Sequence, residues 1–171
     1  ETEANRFQLP SDPGYVAPQT PPSDGLRMHL LGRISRPWRE PGWWITPNLL
    51  LNAAAYNTDE PMSNGRTTGS RVIPTASLGG GMEFERPAEF FGRALLQTLE
   101  PRLLYVYTPH VAQLQYPKFD SAIKDYSFAS IFSENAFSGI DRVSDSNALT
   151  AGLTTRLLDA ATGAELLQLG I

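Results

Sequence analysis

Apolar and polar residues alternate with period two through most of the chain. At residues 43–56, WWITPNLLLNAAAY, Trp43, Ile45, Leu49, Leu51, Ala53 and Ala55 share one parity, and Thr46, Asn48 and Asn52 share the other. At 95–108, Leu95, Leu99, Leu103, Tyr105 and Tyr107 oppose Thr98, Glu100 and Arg102. At 26–36, Met28, Leu30 and Ile34 oppose Arg27, His29, Arg33 and Ser35. At 147–158, Leu149, Ala151, Leu153 and Leu157 oppose Thr150, Gly152, Thr154 and Arg156. Successive side chains of a strand point to opposite faces, so each segment predicts a strand with an oily side and a polar side. Leu31, Leu50, Leu104 and Val106 break the rule by falling on the polar side.

Together with Gly and Pro punctuation, the pattern predicts strands at about 1–9, 26–36, 43–56, 70–85, 93–108, 147–158 and 164–171. Residues 125–137 offer at most a helical turn or two inside a loop. Soluble strands usually run about five or six residues. Several of these are twice as long, and roughly 9–11 tilted residues cross a bilayer. The connectors alternate in length: 10–25, 57–69 and 109–146 are long, while 37–42, 86–92 and 159–163 are short. Outer-membrane barrels alternate outer loops with periplasmic turns in the same way. On that tracing Tyr56, Tyr105 and Tyr107 gather at the long-loop end, and Trp38, Trp43, Trp44, Phe84, Phe90 and Phe91 at the short-turn end, as two aromatic belts. The expected fold is therefore all-β: part of a transmembrane antiparallel barrel, about seven strands of a larger one, with a polar row facing a watery or plugged lumen.

Composition narrows the function classes. Of 171 residues, 19% are charged and the formal net charge is −4, with no basic cluster suited to a nucleic-acid backbone. The absence of cysteine excludes disulfides and thiolate metal sites within these residues. No apolar run is long enough for a transmembrane helix. Both termini read as cuts, so the chain is expected to be an internal fragment of one barrel domain.

Candidate chemistry is sparse. Asp141, Arg142 and Asp145 resemble a polar cluster, but an arginine among loop carboxylates is more often a structural ion pair or turn-former. Glu100 and Arg102 share a strand face and read either as a charge pair meeting a plug or a passing ligand, or as a solvated ladder. His29 and His110 lack metal-ligand spacing, and no serine lies in a nucleophile-elbow motif. Gly79–Gly81 fall inside a strand and suggest a bulge, bend or tight packing rather than a phosphate cradle. Pro47, Pro74 and Pro101 fall inside predicted strands, where a bulge or a break is expected. No catalytic residue, metal or cofactor is expected.

The string FSENAFSGIDRVSDSNALTAGLTTRLLD at 132–159, with SRVIPTASLGGGMEFER at 70–86 and QTLEPRLLYVYTPH at 97–110, resembles the barrel domain of the LptD (OstA/Imp) family of lipopolysaccharide-assembly proteins. The resemblance runs from about Arg27 to Ile171. It implies a Gram-negative outer-membrane barrel, from a proteobacterium of the beta class, that inserts lipopolysaccharide into the outer leaflet as a conduit and not an enzyme. The implied partners are lipopolysaccharide, a plug lipoprotein like LptE, outer-membrane lipid, and a periplasmic Lpt bridge received by an N-terminal jellyroll absent from this span. The family's lateral seam and cysteines also lie outside it.

On this reading the lumen-facing polar candidates are Arg27, Arg33, Asn48, Asn52, Thr98, Glu100, Arg102, Thr154 and Arg156. Gly139, Asp141, Arg142, Asp145 and Asn147 are candidates for structuring an outer loop. The rivals are another outer-membrane barrel, such as a porin or receptor, and a secreted β-sandwich that binds or hydrolyses carbohydrate.

Overall fold

The computed structural model describes residues 2–7, 24–90 and 92–171. The described residues form one antiparallel sheet of nine strands: β1 (Thr2–Phe7), β2 (Gly25–Ser35), β3 (Trp38–Glu40), β4 (Trp43–Thr58), β5 (Thr68–Met82), β6 (Phe84–Phe90), β7 (Arg93–Thr108), β8 (Ser146–Asp159) and β9 (Glu165–Gly170). The path is β1-β2-β4-β5-β7-β8-β9, each strand beside its predecessor. β3 prolongs β2 along β4, and β6 prolongs β5 along β7. The seven expected spans are thus present, with β1 and β9 as open edges. The ends of the first predicted strand, the 10–23 stretch and Phe91 lie outside the described residues.

Two predicted connectors are largely strand. The 37–42 segment contains β3 and reverses at Pro41-Gly42, where Gly42 has φ of 84°. Proline followed by a positive-φ glycine suits the two central positions of a type II turn. The 86–92 segment is mostly β6 and turns at Gly92, φ 72°. The expected helical turns contract to one 3-10 turn, Ser130–Phe132.

The strand prolines neither bulge nor break their own strands, since among the described residues the one register shift lies between Leu157 and Leu158. Their effect falls on the neighbours. Pro47 lies opposite the gap between β2, which ends at Ser35↔Asn48, and β3, which resumes at Trp38↔Ile45. Pro101 lies opposite the gap between Gly81↔Arg102 and Phe84↔Leu99. A proline offers no ladder donor, so the adjoining strand is interrupted there while the proline's own strand continues.

The sheet is inside-out relative to a soluble protein. Arg27, His29, Arg71, Thr75, Ser77, Thr98 and Thr154 are buried, whereas Ile34, Leu49 and Leu149 are 75%, 60% and 67% exposed. The polar face is buried because the segment between β7 and β8, residues 109–145, folds across it. Its seat explains the parity exceptions: Leu104 and Val106 are buried on that face with Ile73, and Val143 of the loop is buried as well.

Candidate functional site

The period-two register places Arg27, Arg33, Asn48, Asn52, Thr98, Glu100, Arg102, Thr154 and Arg156 on the loop-covered face. Three layers of contact run down it from the long-loop end.

In the uppermost layer Arg27 Nη1 donates to Asp141 Oδ1 at 2.6 Å and Nη2 to Asp120 Oδ2 at 3.1 Å. Asp141 is 0% exposed and Arg27 2%. The remaining Asp141 oxygen accepts the backbone N–H groups of Phe119 and Asp120 at 2.6 and 2.8 Å, and the Asp141 N–H donates to Ser121 Oγ. A buried charge persists only when paired and fully hydrogen-bonded, and this one is. Burial pushes the Asp120 carboxyl up, but the Arg27 guanidinium and the Ile140 N–H, which donate to it, outweigh burial and hold it below the ordinary carboxylate value. Gly139 turns the loop with φ of 70°, and a Cβ there would stand 2.3 Å from the Asp120 carbonyl oxygen.

Arg142 points the other way within the loop, donating to the carbonyls of Gln113 and Tyr116. Burial pushes its guanidinium below the usual arginine value. Tyr116 in turn stacks on Tyr56, with ring centroids 5.1 Å apart, and its hydroxyl donates to the Ser70 carbonyl. Among the described residues Asp145 meets the exposed His110, at 3.2 Å. Asn147 accepts from the Tyr105 hydroxyl on the bare face. The Asp141-Arg142-Asp145 trio is therefore not one cluster but three separate anchors.

Midway down, the loop tip reaches Arg33, which lies six residues along β2 from Arg27, roughly 20 Å at a strand's rise. Glu134 accepts from Arg33 Nη2 at 2.6 Å and from Ser77 Oγ at 2.8 Å, and Asn48 Nδ2 donates to the same Ser77 Oγ. Phe132 lies against Gly152, where a Cβ would stand 2.8 Å from the ring. The Arg102 guanidinium sits between Phe132 and Trp44, 5.0 and 5.7 Å from the ring centroids. Trp44 fits because Gly81 has no side chain: a Cβ there would stand 2.8 Å from the indole Nε1, so the glycine run serves tight packing without a bulge.

In the lowest layer Glu100 pairs with Arg156 at 3.4 Å and accepts from Thr98 Oγ1. It does not pair with its strand neighbour Arg102. At the β8–β9 turn Asp159 Oδ1 gathers the N–H groups of Ala161 and Thr162 and the Thr162 hydroxyl, while Oδ2 meets Arg93. The Thr162 hydroxyl and N–H, with Arg93 and Ala161, depress the Asp159 carboxyl to about 2.

The sequence pattern missed several of these residues. Arg71, whose Nη2 donates to the Ile140 carbonyl, shares the polar parity of Thr75 and Ser77 and was findable. Asp120, Ser121 and Glu134 sit in irregular backbone and Phe132 ends the short 3-10 turn, none of them with a periodic signal. Two belt aromatics are corrected: Tyr56 and Trp44 lie on the loop-covered face, whereas Tyr105, Tyr107, Trp38, Trp43, Phe84 and Phe90 are exposed. Among the described residues no His, Asp and Glu group is arranged to hold a metal.

A filled polar face backed by a bare apolar one, on long antiparallel strands with short turns at one end, is the arrangement of a partial antiparallel β-barrel. A β-sandwich would bury the apolar face instead. The chain belongs to the LptD family: the family description "LPS transport system D" matches residues 2–171. It is 46% identical to the LPS-assembly protein LptD of Acidovorax sp. (strain JS42) over 99% of this chain and 20% of that protein. It is 50% identical to that of Polaromonas sp. (strain JS666 / ATCC BAA-500) over 85% of this chain and 18% of the relative. The LptD of Cupriavidus pinatubonensis is 48% identical over 96% of this chain and 21% of the relative. The chain spans about a fifth of the length of these relatives.

Proposed function

We propose that this chain is a stretch of the wall, with its inward-folded loop, of an outer-membrane barrel that delivers lipopolysaccharide to the outer leaflet. It acts as a conduit, without bond chemistry. The bare face meets lipid and the loop-covered face lines the lumen. The observation that carries this reading is the inversion itself. A guanidinium and a carboxylate are sealed at Arg27 and Asp141, while the leucines of the same strands stand bare. Water would penalise so large an apolar face, and a bilayer would not. Membership of a family named for lipopolysaccharide transport and assembly supplies the substrate class. On this reading the strand edges continue into further wall, because an unpaired edge is not tolerated in lipid. A plug lipoprotein like LptE shares the lumen with the loop, and a periplasmic bridge feeds the barrel from below.

The test is topology in the full-length parent protein. Single cysteines replace Ser63, in the β4–β5 loop, and Thr162, in the β8–β9 turn; both are exposed. A membrane-impermeant thiol reagent on intact cells is expected to label position 63, and position 162 only after permeabilisation. Labelling of both in intact cells would overturn the crossing.

A further inference from the structure

The bare face of the wall is not apolar throughout. On β7 it presents Tyr107, Tyr105, Leu103, Pro101 and Leu99 in succession, and then Gln97. At that level a polar ladder crosses three strands. Arg86 Nε donates to Gln97 Oε1 at 2.8 Å, Gln97 Nε2 to Thr155 Oγ1 at 3.2 Å, and Thr155 Oγ1 to the Thr98 carbonyl at 2.8 Å. The register puts these side chains on the bare side, since Arg86 lies opposite Gln97, and Phe84 and Thr155 both lie opposite Leu99.

The ladder has a direction. A hydroxyl has a single proton, and Thr155 gives its proton to Thr98. Thr155 can then only accept from Gln97, which turns its amide nitrogen to Thr155 and its oxygen to Arg86. Position 86 therefore requires a donor, and pinning Nε leaves the two terminal nitrogens of an exposed guanidinium outside the ladder. Among the described residues those nitrogens have no carboxylate at ion-pair distance. Arg93, nearer the turn on the same face, is closed instead by Asp159 at 2.7 and 2.8 Å.

Depth gives the exposed fork a partner. Residues 97 and 107 are ten positions apart on β7, a height of roughly 23 Å at a strand's rise and about 45° of tilt. A barrel's apolar band is about 25 Å tall, so a band that begins at Tyr107 ends at the Arg86–Gln97–Thr155 row. Lipid phosphates begin where that band ends, and a planar guanidinium fork suits their oxygens. Phe84, on the hydrocarbon side of Arg86, and Phe90, on the turn side, are 54% and 61% exposed. On β6 the carboxylates Glu85 and Glu89 have the opposite parity, and Asp159 is taken by Arg93. A headgroup ammonium would thus meet no open carboxylate beside Arg86.

We propose that Arg86, held by Gln97 and Thr155, is a binding site for the phosphate of an anionic glycerophospholipid in the periplasmic leaflet. The inference rests on the reading of the bare face as lipid-facing. The ladder orients the fork before the lipid arrives, and the lipid's acyl chains lie along the apolar band past Phe84.

The experiment uses the full-length protein in detergent, with phosphatidylglycerol as probe, and with phosphatidylethanolamine and inorganic phosphate as separate arms. Native mass spectrometry reads lipid occupancy against lipid concentration, and the difference between wild type and variant isolates this site from any other. Arg86→Ala should weaken phosphatidylglycerol binding here about tenfold, the scale of one charge-assisted hydrogen bond. Arg86→Lys, which keeps the charge without the fork, should lose less. Gln97→Leu releases Nε while keeping the face apolar, so it should weaken binding by less than Arg86→Ala; it keeps the test decisive if Arg86→Ala folds poorly. Arg66→Ala makes the same change of net charge in the exposed β4–β5 loop and should leave binding unchanged. Tighter binding of phosphatidylglycerol than of phosphatidylethanolamine supports the anionic assignment, and equal binding would overturn it. Displacement of the lipid by inorganic phosphate would reassign the site to a free anion. Unchanged affinity in Arg86→Ala and Gln97→Leu, or an equal loss in Arg66→Ala, would overturn the site. If thiol topology at positions 63 and 162 stands while these variants do not respond, this inference fails and the wall reading survives. If that topology fails, both fall.

Discussion

Arg27 and Asp141 are 114 residues apart in sequence and 2.6 Å apart in space, and neither is more than 2% exposed. One belongs to a strand and the other to a loop, so their contact determines whether the polar face is open or closed. Removing one partner of a buried pair leaves an uncompensated charge and typically costs about 3–5 kcal/mol. Asp120 remains beside Arg27, so Asp141→Ala should fall at the low end, about 3 kcal/mol. The cost should be local: trypsin cleavage after Lys118 and Lys124 should accelerate while the strands stay protected. Replacing both partners, as Arg27→Met with Asp141→Leu, should recover much of the loss in a double-mutant cycle. If cleavage rates do not change in Asp141→Ala, the loop is held elsewhere.

Acid should release the same loop. Asp120 has a folded pKa below its ordinary value of 3.8, so its contribution is fully present above 3.8 and is lost as pH falls through the folded value. Loop protection should therefore be flat from about pH 8 to 5 and decline only below 3.8. Asp159 has the same sign, and its contribution to the β8–β9 turn should disappear between 3.8 and about 2. Amide exchange in the loop and in the turn, followed against pH, checks both. A loss centred near neutrality would assign the hold to another group.

Two glycines with nearly the same backbone angle should respond differently to alanine. Gly139 and Gly92 have φ of 70° and 72°, which costs an L-residue about 1–2 kcal/mol. Nothing lies within 4 Å of a Cβ at Gly92, whereas at Gly139 it would meet the Asp120 carbonyl at 2.3 Å. Gly92→Ala should therefore lose only the conformational term. Gly139→Ala should lose more and displace the Asp120–Asp141 segment from Arg27. Thermal stability together with loop proteolysis distinguishes them: equal losses, or a loop response in Gly92→Ala, would refute the contact argument.

Much of the wall was legible in the sequence because side-chain parity is fixed by the backbone. Thr46, Asn48 and Asn52 could not share a face with Leu49 and Leu51 in any regular strand. The same parity also contained the correction for Trp44 and Tyr56, which share the numbering phase of Thr46. Treating them as belt residues put their position along the strand ahead of their face. β3 and β6 were missed because Pro37, Pro41 and Pro87 read as punctuation, although a strand paired on one side only tolerates proline where a central ladder does not. The loop's descent was not legible at all. It depends on Asp141 finding Arg27 and Glu134 finding Arg33, partners set by a fold that only exists once the strands have paired.

The inverted faces yield a final prediction that pairs neighbouring positions on β4. Leu49 is 60% exposed on the bare face, opposite Ile34 of β2 and Ala76 of β5. Thr46, three residues earlier and so of opposite parity, lines the cleft beneath the loop. An arginine at Leu49 must enter hydrocarbon or snorkel out of it, at a depth-dependent cost of about 2–4 kcal/mol near the midplane. An arginine at Thr46 enters a polar cavity that already contains Arg33 and Arg102, so its cost is like-charge repulsion screened by water and salt. For a soluble protein the order would reverse, because exposed arginine is harmless and buried arginine is not. Denaturation of the two full-length variants in lipid vesicles separates the cases. Leu49→Arg should be the more destabilised, and the opposite order would mean that the bare face does not meet lipid.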